Sequence, residues 1–201
     1  MAAQPRQAAA ERATRETRVA VRLVIDGRGE ARVSTGIGML DHLLSAWARH
    51  GLFDLEVRAE GDLEVDPHHT AEDVALALGR AFRAALGDGT GIRRIAEAYA
   101  PMDEALALAV VDISGRPYWD LRLKFGGPAV GGLPASLIGH FWRSFAAEAR
   151  LTLHCRLLAG ADDHHRAEAV FKAVGRALSR AAEIEPRRAG EVPSTKGLLD
   201  L

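Results

Sequence analysis

Two copies of one histidine-rich motif offer the clearest chemistry in the sequence. Residues 66–72 and 162–168 both read D-x-H-H-x-A-E, so the second copy begins 96 residues after the first. In each copy the first histidine and the glutamate are four residues apart, which on a helix puts both side chains on one face. One imidazole and one carboxylate could therefore bind a common metal ion. The second histidine points about 100° away on a 3.6-residue helix and must serve another partner.

Six of the eight histidines lie at comparable places in the two copies. With the two glutamates they give the candidate metal ligands His42, His68, His69, Glu72, His140, His164, His165 and Glu168. One His-His pair alone is usually a helix start with a satisfied imidazole, but two pairs at a common offset favour ligation. Nitrogen and oxygen donors without a thiolate suit manganese, iron or zinc, and an octahedral ion would keep two positions open for a substrate.

The spacing also predicts how the ligands are shared. Each diverging histidine should reach the ion of the other motif. One ion is then expected on His42, His68, Glu72 and His165. The other is expected on His140, His164, Glu168 and His69.

Three further side chains lie outside these two sets. His50 precedes Gly51. Its position is equally compatible with two roles, a cation near a helix C-terminus and a substrate contact. His154 and Cys155 lie in a segment with alternating apolar residues, so we interpret both as structural. A single cysteine excludes a disulfide within the chain, and an inward-facing thiol behaves mostly as a small hydrophobe.

The C-terminal segment is polar, cationic and rich in turn residues. Residues 186–197 could fold over an anion, with Lys196 and the hydroxyl of Ser194 or Thr195 making charge-assisted bonds to phosphate. A disordered tail is the alternative for this composition. Arg94 and Arg116 follow glycines and are further candidate phosphate ligands, each unconvincing alone.

An internal duplication must position these residues. At the same offset, five residues beyond the first motif recur beyond the second, namely Val74, Ala77, Gly79, Arg80 and Ala81. Each copy predicts the order β-β-α-β-α, which is an α+β fold of antiparallel or mixed sheets with helices on one face. Asp26-Gly27 is interpreted as a hairpin turn after the strand 17–25.

The predicted division of the chain follows from the duplication. Residues 1–14 are expected to form a flexible tail, 15–100 the first half, 101–185 the second half and 186–201 a phosphate-binding tail. Predicted helices cover 39–48, 70–86 and 167–184, with a shorter one around His140. Predicted strands cover 53–59, 105–114 and 151–158, and 126–132 is a glycine-rich stretch.

Composition narrows the class of protein. The chain has 201 residues, 48% of them hydrophobic, which suffices for one compact core. The 27 acidic and 26 basic residues nearly cancel, so neither nucleic acid nor a membrane surface is an expected partner. The sequence contains no apolar run of 18 residues and no signal pattern at its start, so a cytoplasmic protein is expected.

Taken together, the motifs resemble those of imidazoleglycerol-phosphate dehydratase over roughly residues 14 to 199. The resemblance is carried by Thr35-Gly-Ile-Gly-Met-Leu-Asp-His42, His50-Gly-Leu-Phe-Asp54, Asp66-Pro-His-His-Thr-Ala-Glu-Asp73, Met102-Asp-Glu-Ala105, Asp112-Ile-Ser-Gly-Arg-Pro-Tyr118, Asp163-His-His165 and Arg187-Arg-Ala-Gly-Glu-Val-Pro-Ser-Thr-Lys-Gly197. Two positions depart from the family pattern. Gly139 stands where glutamate is usual, and Ala46 stands where glutamine is common.

The resemblance implies a function and an assembly. The enzyme would dehydrate imidazole glycerol phosphate to imidazole acetol phosphate in histidine biosynthesis, with two Mn²⁺ ions per active site. Its halves would resemble domain 2 of ribosomal protein S5, and its subunits would form trimers that assemble into a 24-mer with active sites between subunits. The implied substrate contacts include Glu16 and Lys172, and the candidate substrate-binding residues are then Glu16, His42, His50, Arg94, Arg116, Lys172, Ser194, Thr195 and Lys196.

The reaction explains why metals would be needed. The hydrogen to be lost is not next to a carbonyl, so cations on both imidazole nitrogens must make the ring able to expel the hydroxyl group. Glu16, Glu72 and Glu168 are the candidate catalytic proton carriers. A dinuclear metallohydrolase and a metal-storage shell are alternative functions. The first usually needs a carboxylate that bridges two close metals, and the second leaves Glu16, Arg116 and the C-terminal segment unexplained.

Overall fold

The same order of strands and helices occurs twice in the computed structural model, which describes residues 4–188 and 190–201. The elements of the first half are β1 (Gln7–Ala13), β2 (Thr17–Val24), β3 (Ala31–Ser34), α1 (Gly38–Gly51), β4 (Asp54–Gly61) and α2 (His68–Leu86). Those of the second half are β5 (Ile95–Met102), β6 (Ala105–Asp112), β7 (Tyr118–Arg122), β8 (Ala129–Val130), β9 (Leu133–Pro134), α3 (Ala135–Glu148), β10 (Thr152–Ala159) and α4 (Asp163–Ala182). A short 3-10 turn follows at Pro186–Arg188.

Each half builds a four-stranded sheet with the same topology. The strand orders are β1-β2-β4-β3 and β5-β6-β10-β7, and in each sheet the last strand pairs in parallel while the other pairs are antiparallel. Burial alternates along the central strands; in β2, Val19 and Val21 are buried whereas Arg18 is exposed. One face of each sheet therefore packs on helices, which confirms the duplicated α+β fold with mixed sheets.

The helices pack against one another across the two halves. Helix α2 lies on the first sheet and packs against α3, whereas α4 lies on the second sheet and packs against α1. The short helix of each half thus lies beside the long helix of the other half, and all four share one core. None of the helices in the described part of the chain has both the length and the hydropathy that crossing a membrane requires.

Glycine permits the close approach at both helix crossings. A Cβ atom at Gly79 of α2 would lie 2.6 Å from the carbonyl oxygen of Phe145 in α3, and one at Gly175 of α4 would lie 2.6 Å from that of Trp47 in α1. Gly79 and Gly175 are the same position of the repeat. Since both obstacles are backbone atoms, any larger residue must push the helices apart.

Three predictions about the N-terminal region are wrong. Residues 7–13 are not a flexible tail, because they form β1 and pair along β2; residues 1–3 lie outside the described part of the chain. Asp26-Gly27 does not close a hairpin, because β2 pairs with β4 and the chain crosses to β3 on the far side of β4. The four-stranded sheet of each half takes three strands, not two, from the chain before the first helix, and in the second half the two-stranded sheet β8-β9 also precedes α3.

Two further boundaries differ. The second sheet begins at Ile95, so the predicted division at residue 100 falls inside β5. The two long helices begin earlier than predicted, at His68 and Asp163, and so include both histidines of each motif.

We expect Cys155 to resist alkylation while the protein is folded. It faces the core from β10, and burial raises the pKa of its thiol to about 12. At pH 8 the native thiol stays protonated, and the reactive thiolate forms only on unfolding. Mass spectrometry after iodoacetamide treatment should show labelling in denaturant and none without it. Rapid native labelling would show that β10 opens locally.

Candidate active site and metal centre

A first cluster of possible metal ligands forms where α1 crosses α4. The Nε2 atom of His42 lies 2.9 Å from Oε2 of Glu168, and Nε2 of His164 lies 3.5 Å from the same oxygen. The two imidazole rings are 5.2 Å apart between centroids. His164 and Glu168 share a face of α4 at the i, i+4 spacing, and His42 comes from the other half.

A matching cluster forms where α2 crosses α3. The Nε2 atom of His140 lies 2.8 Å from Oε1 of Glu72, and the rings of His68 and His140 are 4.7 Å apart. In each cluster a potential ligand atom of every residue lies within 4.8 Å of those of the other two. Two imidazoles and one carboxylate at this separation match what manganese, iron or zinc would bind.

The predicted division of ligands between the two ions is therefore wrong in part. His42 lies with His164 and Glu168, not with His68 and Glu72. Conversely, His140 lies with His68 and Glu72, not with His164 and Glu168. The reason is the packing of the helices, because each short helix lies against the long helix of the other half. The histidine and glutamate at the i, i+4 spacing lie together in each motif, whereas the third residue of each cluster comes from the helix that crosses it.

The aspartate that opens each motif fixes the start of the long helix. Asp162 accepts hydrogen bonds from the backbone N–H groups of His164 and His165, at 2.7 and 3.2 Å. Asp66 accepts one from the backbone N–H of His68 at 2.7 Å. These bonds satisfy donors that a helix N-terminus leaves unpaired, so the first turn, which carries the histidines, is held in place.

The second histidine of each pair points away from both clusters. Nδ1 of His69 donates to Asp62 at 2.9 Å and lies 3.6 Å from a carboxylate oxygen of Glu16. Nδ1 of His165 donates to Glu104 at 2.8 Å. These hydrogen bonds raise the pKa of both imidazoles. Within the described residues, neither histidine joins a helix-crossing cluster of its own chain, as the predicted cross-motif sharing would require. His69 lies instead with Glu16 and Asp62 in a third group of possible metal ligands.

Lys172 and Glu168 form a nearly buried ion pair beside the first cluster. The Lys172 ammonium lies 2.5 Å from Oε1 of Glu168, and only 13% of its side chain is exposed. Burial would raise the pKa of Glu168, but hydrogen bonds from Lys172 and His42 outweigh it and hold the pKa at about 2.

His50 is exposed on α1, and partial burial together with Lys172 and Arg176 lowers its pKa. Cationic charge thus surrounds this side of the cluster.

The C-terminal segment is held against the loop that precedes β5. Arg94 donates to Asp112 and to the carbonyl oxygen of Pro193, at 2.7 and 2.8 Å. A shallow cleft is lined by Arg94, Arg188, Glu191, Val192, Pro193, Ser194 and Thr195. The cleft unites three predicted phosphate ligands, whereas Arg116 and Lys196 are exposed and do not line it. Residue 189 of this segment lies outside the described part of the chain.

Comparison with known proteins now identifies the family. Residues 35–178 match the family model for imidazoleglycerol-phosphate dehydratase. This chain belongs to the imidazoleglycerol-phosphate dehydratase family. Among members, the dehydratase of Chloroflexus aggregans is 56% identical over 194 residues, covering 96% of this chain and 95% of its own, and that of Halobacterium salinarum is 55% identical over 192 residues, covering 96% and 97%. The chain is thus an enzyme of the lyase class that acts in histidine biosynthesis.

Solved structures of the family share the fold. The dehydratase of Staphylococcus aureus superposes with a TM-score of 0.78 at 32% identity, covering 89% of this chain and all of that one. The enzyme of Pyrococcus furiosus gives a TM-score of 0.80 at 35% identity, covering 94% and 99%. The duplicated sheets and four helices are therefore the architecture of imidazoleglycerol-phosphate dehydratases.

The two departures from the family pattern leave the six cluster residues in place. A Cβ atom at Gly139 would meet no atom within 4 Å, so a longer side chain has room there beside His140. Ala46 lies half-buried on α1, one turn beyond His42. Nothing in the structure explains why this dehydratase carries small residues at these two positions.

Sequence reasoning missed Asp62 and Glu104, the carboxylates that hold the diverging histidines. Glu104 lies in the motif Met102-Asp-Glu-Ala105, which does not by itself indicate a contact with His165. Asp62 has no carboxylate at the equivalent position of the second repeat, where Leu158 stands. A signal was present for Glu104. It immediately precedes β6, just as Glu16 immediately precedes β2 in the first half.

Proposed function

We propose that this enzyme removes water from imidazole glycerol phosphate and that each of its two clusters holds one Mn²⁺ ion. The observation that carries the proposal is the matched pair of clusters, each with two imidazoles and one carboxylate drawn from both halves. Two equal sites in separate helix crossings suit a ring with two nitrogen atoms. A dinuclear hydrolase with one bridging carboxylate is less compatible with clusters that share no residue.

The donor sets fit such ions and leave room for more ligands. Three protein ligands per cluster are fewer than the six positions of an octahedral ion. Among the described residues, His69 and His165 belong to neither helix-crossing cluster, and His69 lies instead with Glu16 and Asp62. We infer that both histidines complete the clusters of neighbouring subunits. Substrate nitrogen would take a remaining position.

The chain's own residues would then bind the substrate and move its protons. When bound, the ions act as Lewis acids toward the imidazole ring of the substrate. Glu16 is the carboxylate most available for proton transfer, since 55% of its side chain is exposed and its contact with His69 is long. Arg94, Arg116, Ser194, Thr195 and Lys196 would bind the phosphate group, and Lys172 would add positive charge beside Glu168.

Turnover before and after metal removal tests the proposal. The enzyme is treated with a chelator, and formation of imidazole acetol phosphate is followed without metal and with Mn²⁺ added back. Activity should disappear and return with manganese. Release of inorganic phosphate without the ketone would indicate a hydrolase, and metal binding without any turnover would indicate a storage protein.

The phosphate assignment gives a separate expectation for Lys196→Ala. Losing one charge-assisted bond of about 1.5–3 kcal/mol should raise KM by roughly ten- to a hundredfold while manganese content stays unchanged. Lys124→Ala, which removes another exposed lysine, serves as the control. Normal kinetics for Lys196→Ala would remove the C-terminal segment from the active site.

Shared sites also predict that metal removal dissolves the assembly. If His69 and His165 bind ions held by other subunits, chelation breaks those contacts, and the proposed 24-mer should fall to trimers. Light scattering at neutral pH measures the mass before and after chelation. A particle that keeps its full mass without metal would contradict the sharing of ions between subunits. It would not bear on the proposed dehydration reaction.

A further inference from the structure

Each diverging histidine donates its Nδ1 proton to a carboxylate that the reaction does not otherwise use. We propose that Asp62 and Glu104 are positioning residues that fix the tautomer of His69 and His165, so that Nε2 of each is free to bind a metal ion. This inference rests on the proposed function, in which these two histidines complete clusters of neighbouring subunits. The added element is the cause: the carboxylates keep Nε2 of both histidines unprotonated and therefore able to bind a metal ion.

Glu104 is itself held firmly. Its Oε1 atom accepts hydrogen bonds from the backbone N–H groups of Ala161 and Asp162, at 2.9 and 2.8 Å. Its Oε2 atom accepts from Nδ1 of His165 at 2.8 Å. With one oxygen tied to the loop that begins α4, the other has a single orientation. The imidazole of His165 cannot turn or change tautomer without losing this bond.

Asp62 performs the same task for His69 by a different route. Its Oδ2 atom lies 2.9 Å from Nδ1 of His69, whereas the nearest oxygen of Glu16 lies 3.6 Å from that nitrogen. Nδ1 carries one hydrogen, and the closer carboxylate accepts it. The Oδ1 atom of Asp62 is buried and has no hydrogen-bond partner among the described residues.

The comparison of the two halves explains why Asp62 is needed. Glu16 and Glu104 occupy the corresponding turn, each directly before the second strand of its sheet. In the second half this glutamate orients the histidine. In the first half Asp62 takes over that task, and Glu16 remains available for substrate. The duplication therefore gives two equal metal ligands but only one free turn glutamate.

The chemistry of imidazole supports a direct effect on metal binding. A neutral imidazole has one protonated and one unprotonated nitrogen, and only the unprotonated one binds a metal. A carboxylate on Nδ1 fixes the lone pair on Nε2 and makes it a stronger donor. Removal of such partners typically lowers metal affinity by about 10- to 100-fold.

The substitution Glu104→Gln gives the sharpest test. A glutamine has a single carbonyl oxygen, which cannot serve both the backbone N–H groups and His165, so one set of donors is left facing an amide NH₂ group. The substitution Asp62→Asn differs, because the second oxygen of Asp62 has no bond to lose and the asparagine carbonyl can still accept from His69. Glu97→Gln, at an exposed glutamate of β5, is the matched control.

The experiment titrates each full-length enzyme, after chelation, with Mn²⁺ alone and measures free ion by electron paramagnetic resonance. Glu104→Gln should bind the ions that depend on His165 about 10- to 100-fold more weakly. Asp62→Ala should weaken binding to a similar extent, Asp62→Asn by much less, and Glu97→Gln not at all. The melting temperature of the chelated Glu104→Gln enzyme should stay close to that of Glu97→Gln.

The outcomes separate this inference from the function on which it rests. Wild-type affinity in Glu104→Gln and in Asp62→Ala would overturn the positioning role and leave the dehydratase proposal intact. Weak binding accompanied by an equal loss of thermal stability in both would assign these carboxylates to structure alone and overturn it as well. If the wild-type enzyme bound no manganese, the proposed function would fail and this inference with it.

Discussion

Replacing Glu168 by glutamine is expected to lower kcat by roughly 10²–10⁴-fold and to remove about one of two manganese ions per chain. Glu168 contacts His42 of the other half, His164 on its own helix and the Lys172 ammonium. An amide has nearly the same shape but carries no charge and takes up no proton. The effect should therefore reach both the metal and the chemistry. Steady-state kinetics and metal analysis measure the two separately.

Glu183→Gln is the control for this substitution. Glu183 lies just beyond α4 and forms a half-exposed ion pair with Arg93, of a kind that contributes about 0–1 kcal/mol. Its turnover and metal content should match the wild type. Full manganese content together with normal kcat in Glu168→Gln would show that the α1–α4 cluster is not part of the active site.

Gly175→Ala is expected to destabilise the chelated enzyme by about 3 kcal/mol, the upper end of usual overpacking effects. The added methyl group would lie 2.6 Å from the carbonyl oxygen of Trp47 and 3.1 Å from its ring. Helices α1 and α4 must separate to admit it, and the separation would also draw His42 away from Glu168. Urea unfolding at matched protein concentration measures the change in the free energy of unfolding.

Gly139→Ala provides the opposite expectation on another helix. No atom lies within 4 Å of a Cβ atom at this position of α3. Alanine is the better helix former by about 1 kcal/mol, so this variant should be slightly more stable than the wild type. Equal effects of the two substitutions would mean that the close crossing at Gly175 does not constrain the helices.

Local patterns in the sequence predicted the motifs and the fold class. The first histidine and the glutamate of each motif are four residues apart, about one helical turn, so their geometry follows from the helix itself. Gly79 and Gly175 were visible as one repeated position, but only the crossing shows that backbone atoms of Phe145 and Trp47 require them. A repeat establishes which residues are equivalent, and it cannot establish which helices touch.

The wrong predictions for His42, for strand β1 and for Gly27 share one cause. Each depends on contacts between residues that are far apart in the sequence. His42 was assigned to the motif nearest in sequence, while α1 in fact packs across the duplication on α4. Strand β1 was missed because the alanines of Gln7–Ala13 hide the alternation of an edge strand that is ordered by pairing with β2. Gly27 looked like a turn signal, yet it is small because a Cβ atom there would collide with Asp54.

Anomalous diffraction at the manganese edge, from crystals of the enzyme grown with Mn²⁺, would locate the bound ions. We expect two peaks per chain, one among His42, His164 and Glu168 and the other among His68, Glu72 and His140. Each should also lie within bonding distance of His69 or His165 from a neighbouring subunit. A peak that joins His42 to Glu72, or the absence of any peak at either helix crossing, would show that the two clusters are not the manganese sites.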